Sequence, residues 1–117
     1  MNDRFQPAEE SRALGVLSAL AQPSRLRIFR ALVAAGPAGL HPGQIGDTLR
    51  IPANALSFHL RALHDSGLVS LQREGRFLRY RANLGAMQDL LAFLTANCCG
   101  GEPCAGMPVP AVLKHRQ

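Results

Sequence analysis

Tryptophan is missing from this chain, tyrosine occurs once, and aromatic residues make up only 5% of it. Any core must therefore be aliphatic. Long apolar runs are also missing: no stretch approaches the ~20 residues of a membrane span. No membrane partner is expected. The opening "MNDRFQPAEESR" lacks the basic-then-apolar order of a secretory signal, and the chain is expected to stay in the cytoplasm. There is no internal repeat and no phosphate-binding glycine loop. No acid/base pair has a mechanistic spacing, so enzyme chemistry is not expected. Cysteine is scarce and confined, with Cys98, Cys99 and Cys104 all inside "NCCGGEPC". In a reducing compartment such a cluster reads as metal-binding or redox-active before it reads as a disulfide. A Cys98–Cys99 bridge would be strained, because adjacent Cα atoms lie ~3.8 Å apart and disulfides usually span ~4.4–6.8 Å.

What is present suits one small folded unit. The 117 residues are 47% hydrophobic and carry 13 basic against 8 acidic side chains, a formal charge of +5. That balance favours an anionic partner, nucleic acid or a membrane surface.

Apolar spacing and punctuating residues predict a mainly α chain with one small β-hairpin. A first helix covers 8–21, with Leu14, Leu17 and Leu20 at three-residue steps. Pro23 and Ser24 open a second, closed by Gly36-Pro37, with Leu26, Phe29 and Val33 on its apolar face and Leu32 beside them. A short helix at 42–49 buries Ile45 and Leu49. After the turn "RIPAN", the next helix runs over 53–65 with Leu56, Leu60 and Leu63 as its core stripe. Strands at 68–73 and 77–82 are joined through Glu74-Gly75-Arg76. The last helix, 84–96, has an apolar face of Leu84, Met87, Leu91 and Leu94, and Leu90 and Phe93 widen it to nearly two. One small core cannot cover both, so the excess predicts a partner chain. Residues 1–96 form the expected domain. Residues 97–117, with Pro103, Pro108 and Pro110, form a tail expected to be poorly ordered without a ligand.

Two short helices with a tight turn, then a two-stranded ribbon, describe a winged helix-turn-helix. Its recognition helix would be 53–65. Opposite the leucine stripe lie Asn54, Phe58 and Arg61, flanked by Ser57 and His59. Asn reads adenine and Arg reads guanine bidentately in the major groove. Ser57 and His59 suit phosphates or base edges, and Phe58 suits either a thymine methyl or the core. The same pattern describes an ordinary amphipathic surface helix. The hairpin adds weight to DNA: Arg73, Arg76, Arg79 and Arg81 stand against one acid, Glu74. A basic wing beside a recognition helix grips phosphate or the minor groove. Arg79 and Arg81 share one side of their strand, so a partly structural role is open to both.

The segments "LSALAQPSRLRIFRAL", "LSFHLRALHDSGLV" and "REGRFLRYRAN" resemble, in order, the ArsR/SmtB family of metal- and metalloid-responsive repressors. The likeness spans about 13–94. It implies a winged-helix homodimer paired through its first and last helices and bound to operator DNA until an inducer arrives. Ser57 and His59 match the family's recognition-helix pair. The family's cysteines before the recognition helix have no counterpart in "LHPGQIGDTL". Its Asp/His zinc site on the last helix has only Asp89. Cys98, Cys99 and Cys104 resemble instead a subgroup with a Cys-Cys pair and a third cysteine after the last helix. The implied function is an operator-binding repressor released by arsenite or antimonite on three thiolates. Trivalent arsenic and antimony take three sulfurs in a pyramid, whereas structural zinc usually wants four ligands. Zinc, cadmium or thiol oxidation at the same cysteines is the alternative. His115 is a distant fourth donor; His41 and His64 read as surface or capping residues.

Overall fold

The computed structural model describes residues 7–96 and Gly100. Prolines start three of its helices, α1 (Pro7–Leu20), α2 (Pro23–Ala35) and α3 (Pro42–Leu49), where a missing N–H costs nothing. The Gln22 side chain accepts from the Arg25 N–H at 2.9 Å to cap α2. Gln44 reaches back to the His41 N–H at 2.7 Å to cap α3. One 3₁₀ turn, Gly36–Ala38, links those two helices. Arg50, in the left-handed region at φ 59°, ends α3 and sets up the turn into α4 (Ala53–Asp65). Strands β1 (Val69–Glu74) and β2 (Phe77–Ala82) pair antiparallel in the register Glu74↔Phe77 to Val69↔Ala82. Only Gly75 and Arg76 are left in the turn. Gly75 comes first at φ +62°, as a type II′ turn requires. Asn83 then accepts from the Ala86 N–H and opens α5 (Leu84–Leu94). The element order and winged helix-turn-helix architecture expected from the sequence are therefore present.

The core is aliphatic as well. Ile28, Leu32, Ile45, Leu63 and Leu68 are fully buried and tie α2, α3, α4 and the base of β1 together. Leu56, Leu60 and Leu63 form the buried stripe of α4, and Ile45 is buried with Leu49 partly so.

In two helices the buried face is not centred on the spaced apolar residues noted in the sequence. In α1 the buried side is Ala13, Val16 and Ala19, while Leu14 and Leu17 are exposed. Small residues let α1 lie close to α2, α4 and α5, which turns the leucines outward. In α2 the buried face is Ile28, Phe29 and Leu32, with Leu26 and Val33 partly in solvent. The wing also departs from alternation: Val69 and Tyr80 are buried, while Leu71, paired with Tyr80, is exposed. Toward its tip the ribbon projects from the body and has no second layer to pack on. The last helix matches the two-faced reading. Leu90 is buried and Met87 and Phe93 pack partly on the core, while Leu84, Leu91 and Leu94 stand exposed. Among the described residues no helix is long and apolar enough to cross a membrane.

Candidate nucleic-acid interface

The leucine stripe fixes α4 in rotation, so the opposite face is set by helical geometry. Asn54, Ser57, Phe58 and Arg61 are all exposed on it. Phe58 is 66% exposed, which removes the core reading for this side chain. It meets the His59 ring edge-on, with centroids 5.7 Å apart. Arg61 makes only a loose 4.0 Å pair with Asp65, one turn on, and both are exposed. Such pairs are worth little, so the guanidinium is free to exchange Asp65 for a base edge or phosphate. Asn54 accepts from the Ala55 N–H and keeps its amide N–H groups unspent.

His59 is different, sitting half-buried in the seam between α4 and α2. Arg25 lies 3.4 Å from its Nδ1 and is itself held by the Ala19 carbonyl at 2.7 Å. Donation into Nδ1 leaves Nε2 as the donor of the neutral ring. Burial and then the Arg25 charge hold the imidazole below its usual range, so it is neutral at pH 7.

The wing divides its arginines by face. Arg73 and Arg76 are exposed. Strand alternation instead places Gln72, Glu74, Phe77, Arg79 and Arg81 on the side turned to the 36–41 segment. Arg79 donates from Nε to Glu74 at 2.8 Å and from Nη1 to the Ala38 carbonyl. That contact raises the affinity of Arg79 for its proton and lowers that of Glu74. Arg81 donates to the Pro37 carbonyl and to Gln72, each at 2.6 Å. His41 donates from Nδ1 to the Leu78 carbonyl at 2.7 Å and packs its ring 5.5 Å from that of Phe77. Leu40 and Tyr80 exchange two backbone hydrogen bonds of 2.9 Å, a single β-bridge that docks the segment before α3 on β2.

Of the residues singled out in the sequence, Asn54, Ser57, Phe58 and Arg61 thus share one exposed face, and Arg73 and Arg76 point free from the wing. His59 lies in the α2–α4 seam and Arg79 in the joint between wing and body. Sequence reading passed over His41, Glu74 and Gln72 as parts of that joint. The two-residue period that pairs Arg79 with Glu74 was a usable signal. The docking of 37–41 was not, being some forty residues away along the chain. Cys98, Cys99 and Cys104, the tail 97–117 and His115 lie outside the described residues.

Comparison with known proteins agrees with this geometry. A family described as a helix-turn-helix domain matches residues 20–72. The HTH-type transcriptional regulator YgaV of Escherichia coli K12 is 29% identical over 92 residues, covering 79% of this chain and 91% of the relative. An ArsR-like transcriptional regulator from Rhodococcus sp. RHA1 superposes with a TM-score of 0.65 at 28% identity, over 73% of this chain and 77% of that one. NolR from Sinorhizobium fredii superposes with a TM-score of 0.60 at 31% identity, over 75% and 85%. With its recognition helix and arginine-braced wing, the chain carries a helix-turn-helix domain of the winged, DNA-binding kind and is similar to ArsR-like transcriptional regulators.

Proposed function

We propose that the protein is a homodimeric repressor that holds operator DNA through α4 and the wing. Trivalent arsenic or antimony, bound by Cys98, Cys99 and Cys104, releases it. The observation that carries this reading is the surplus apolar face of α5. Leu84, Leu91 and Leu94 are exposed beside a buried Leu90, and Leu14 and Leu17 are exposed on α1, which packs against α5. A second copy covering these leucines sets two recognition helices at the spacing of successive major grooves. The thiol set begins four residues after α5 ends, so an ion gathered there acts at the dimer-forming helix. Three soft donors fit the three-sulfur pyramid of the trivalent metalloids.

Asn54 and Arg61 read base edges, with Phe58 set for a thymine methyl. Ser57, His59, Arg73 and Arg76 meet phosphates, and Arg79 steadies the wing. Metalloid and operator are coupled through one free energy, so DNA weakens metalloid binding by the factor by which the metalloid weakens DNA binding. Operator gel shifts with arsenite, antimonite, zinc, cadmium or peroxide test the reading, on the wild type and on Cys→Ser variants at 98, 99 and 104. Arsenite and antimonite should release wild type alone. Release that persists in the triple variant sinks the proposal, and release by zinc, cadmium or peroxide but not arsenite reassigns the inducer.

A further inference from the structure

Beside α5, on the flank away from its exposed leucines, runs an open groove of about 930 Å³. Ala13 and Val16 of α1 form one wall, and Leu90 and Phe93 of α5 form the other. Its rim is charged, with Glu9 and Arg12 on α1 and Asp89 on α5. At one end it is bounded by Ala96, just past α5; at the other by Ser66, Gly67 and Asn83. That far end is the joint between recognition helix and wing. Asn83 donates from its side chain to the Gly67 carbonyl at 2.9 Å and from its backbone to Leu68 at 2.8 Å.

We propose that the chain's own C-terminal segment, residues 105–117, lies in this groove, antiparallel to α5. Three observations select that occupant. The first is position: the chain leaves α5 at the groove's rim, and Gly100 then takes φ +68°, a left-handed kink that suits a reversal of direction. Reach is the second. From Ala96 back to Gly85 the groove follows about 16 Å of helix. Residues 101–114 can extend to roughly 46 Å, ample for the return. The third is chemistry. "AGMPVPAVL" supplies Met107, Val109, Val112 and Leu113 for the apolar walls, and Pro108 and Pro110 favour an extended path. Lys114 and Arg116 follow, the sign that Glu9 and Asp89 attract, and Glu102 is the sign that Arg12 attracts. The segment that carries the cysteines is thereby tied at both ends, to α5 before it and to the groove after it. An occupied groove also bears directly on the α4–wing joint.

The proposal does not depend on the metalloid reading, and its test contains neither DNA nor metalloid. Lys114 is the chain's single lysine, so zero-length carbodiimide coupling of the full-length protein reports where it sits. Peptide mapping should find Lys114 joined to Glu9 or Asp89 in several-fold excess over Asp47, Asp65 and Glu74. In a mixture of ¹⁵N-labelled and unlabelled protein, those links should lie within one chain. Equal coupling to the distant acids overturns the proposal. So do links found only between two chains, which would assign the groove to a second copy. A second readout uses the lack of tryptophan. In Val112→Trp the sole indole should emit to the blue of free tryptophan, and adding Glu9→Lys and Asp89→Lys should return it to the solvent position. Emission at the solvent position in Val112→Trp itself also overturns the assignment.

Discussion

The two elements that face nucleic acid are held by opposite means. In α4, Leu56, Leu60 and Leu63 anchor the helix and its polar side chains are left free. In the wing the apolar side chains near the tip are in solvent, and the anchoring falls to Arg79 and Arg81, fastened to Glu74, Gln72 and the carbonyls of 37–38. A helix on a body can bury a stripe; a two-stranded ribbon leaving that body buries little beyond Val69 and Tyr80. Counting arginines therefore overstates the charge that the wing offers to DNA. Arg73 and Arg76 are free, whereas Arg79 and Arg81 spend their donors within the fold.

The largest effect expected from this contrast is on stability. Leu63 is fully buried, and Leu63→Ala should cost about 3 kcal/mol, seen as a lowered midpoint in urea with the slope unchanged. A loss well under that would mean that α4 is not fastened by its stripe. A smaller effect separates the arginines. Arg76→Ala should lower the salt dependence of DNA binding by about one phosphate contact. Arg79→Ala should weaken binding at every salt concentration while leaving that dependence in place. If both variants lower it equally, the division of the wing by face is wrong. The smallest effect concerns the α2–α4 seam. His59 is held below its usual pKa, mainly by burial, so below about pH 6.5 the unfolded chain takes up the proton more readily than the folded one. Stability should therefore decline as pH falls through and below that value. His59→Gln should flatten part of the decline relative to wild type; an unchanged pH profile would remove His59 from the seam.

Element boundaries were legible because proline, glycine and asparagine punctuate this chain. Pro23, Pro42 and Asn83 mark three helix starts, and Gly75 marks the turn. The core side of α4 was legible too, having one stripe of leucines and a polar opposite face. Faces with more apolar residues than a core can take were not. For α1 the leucine spacing marks a helix, and close packing selects Ala13, Val16 and Ala19 for the core. For α2, Val33 and Leu26 gave way to Ile28, because periodicity marks an apolar sector but not its centre. In the candidate site, the exposed face of α4 followed from helical period alone. The role of Arg79 needed the knowledge that 37–41 docks on β2, and no local pattern carries that.

Gly39 lies at the centre of that docking. It is buried at φ +62°, and a Cβ there would come 2.5 Å from the Tyr80 carbonyl oxygen. One methyl group at this position would pry the bridged segment from the wing while leaving every DNA-facing side chain chemically intact. The position is therefore a volume control separate from the tuning: an alanine there should turn down occupancy at all sites together and leave their rank order as it was.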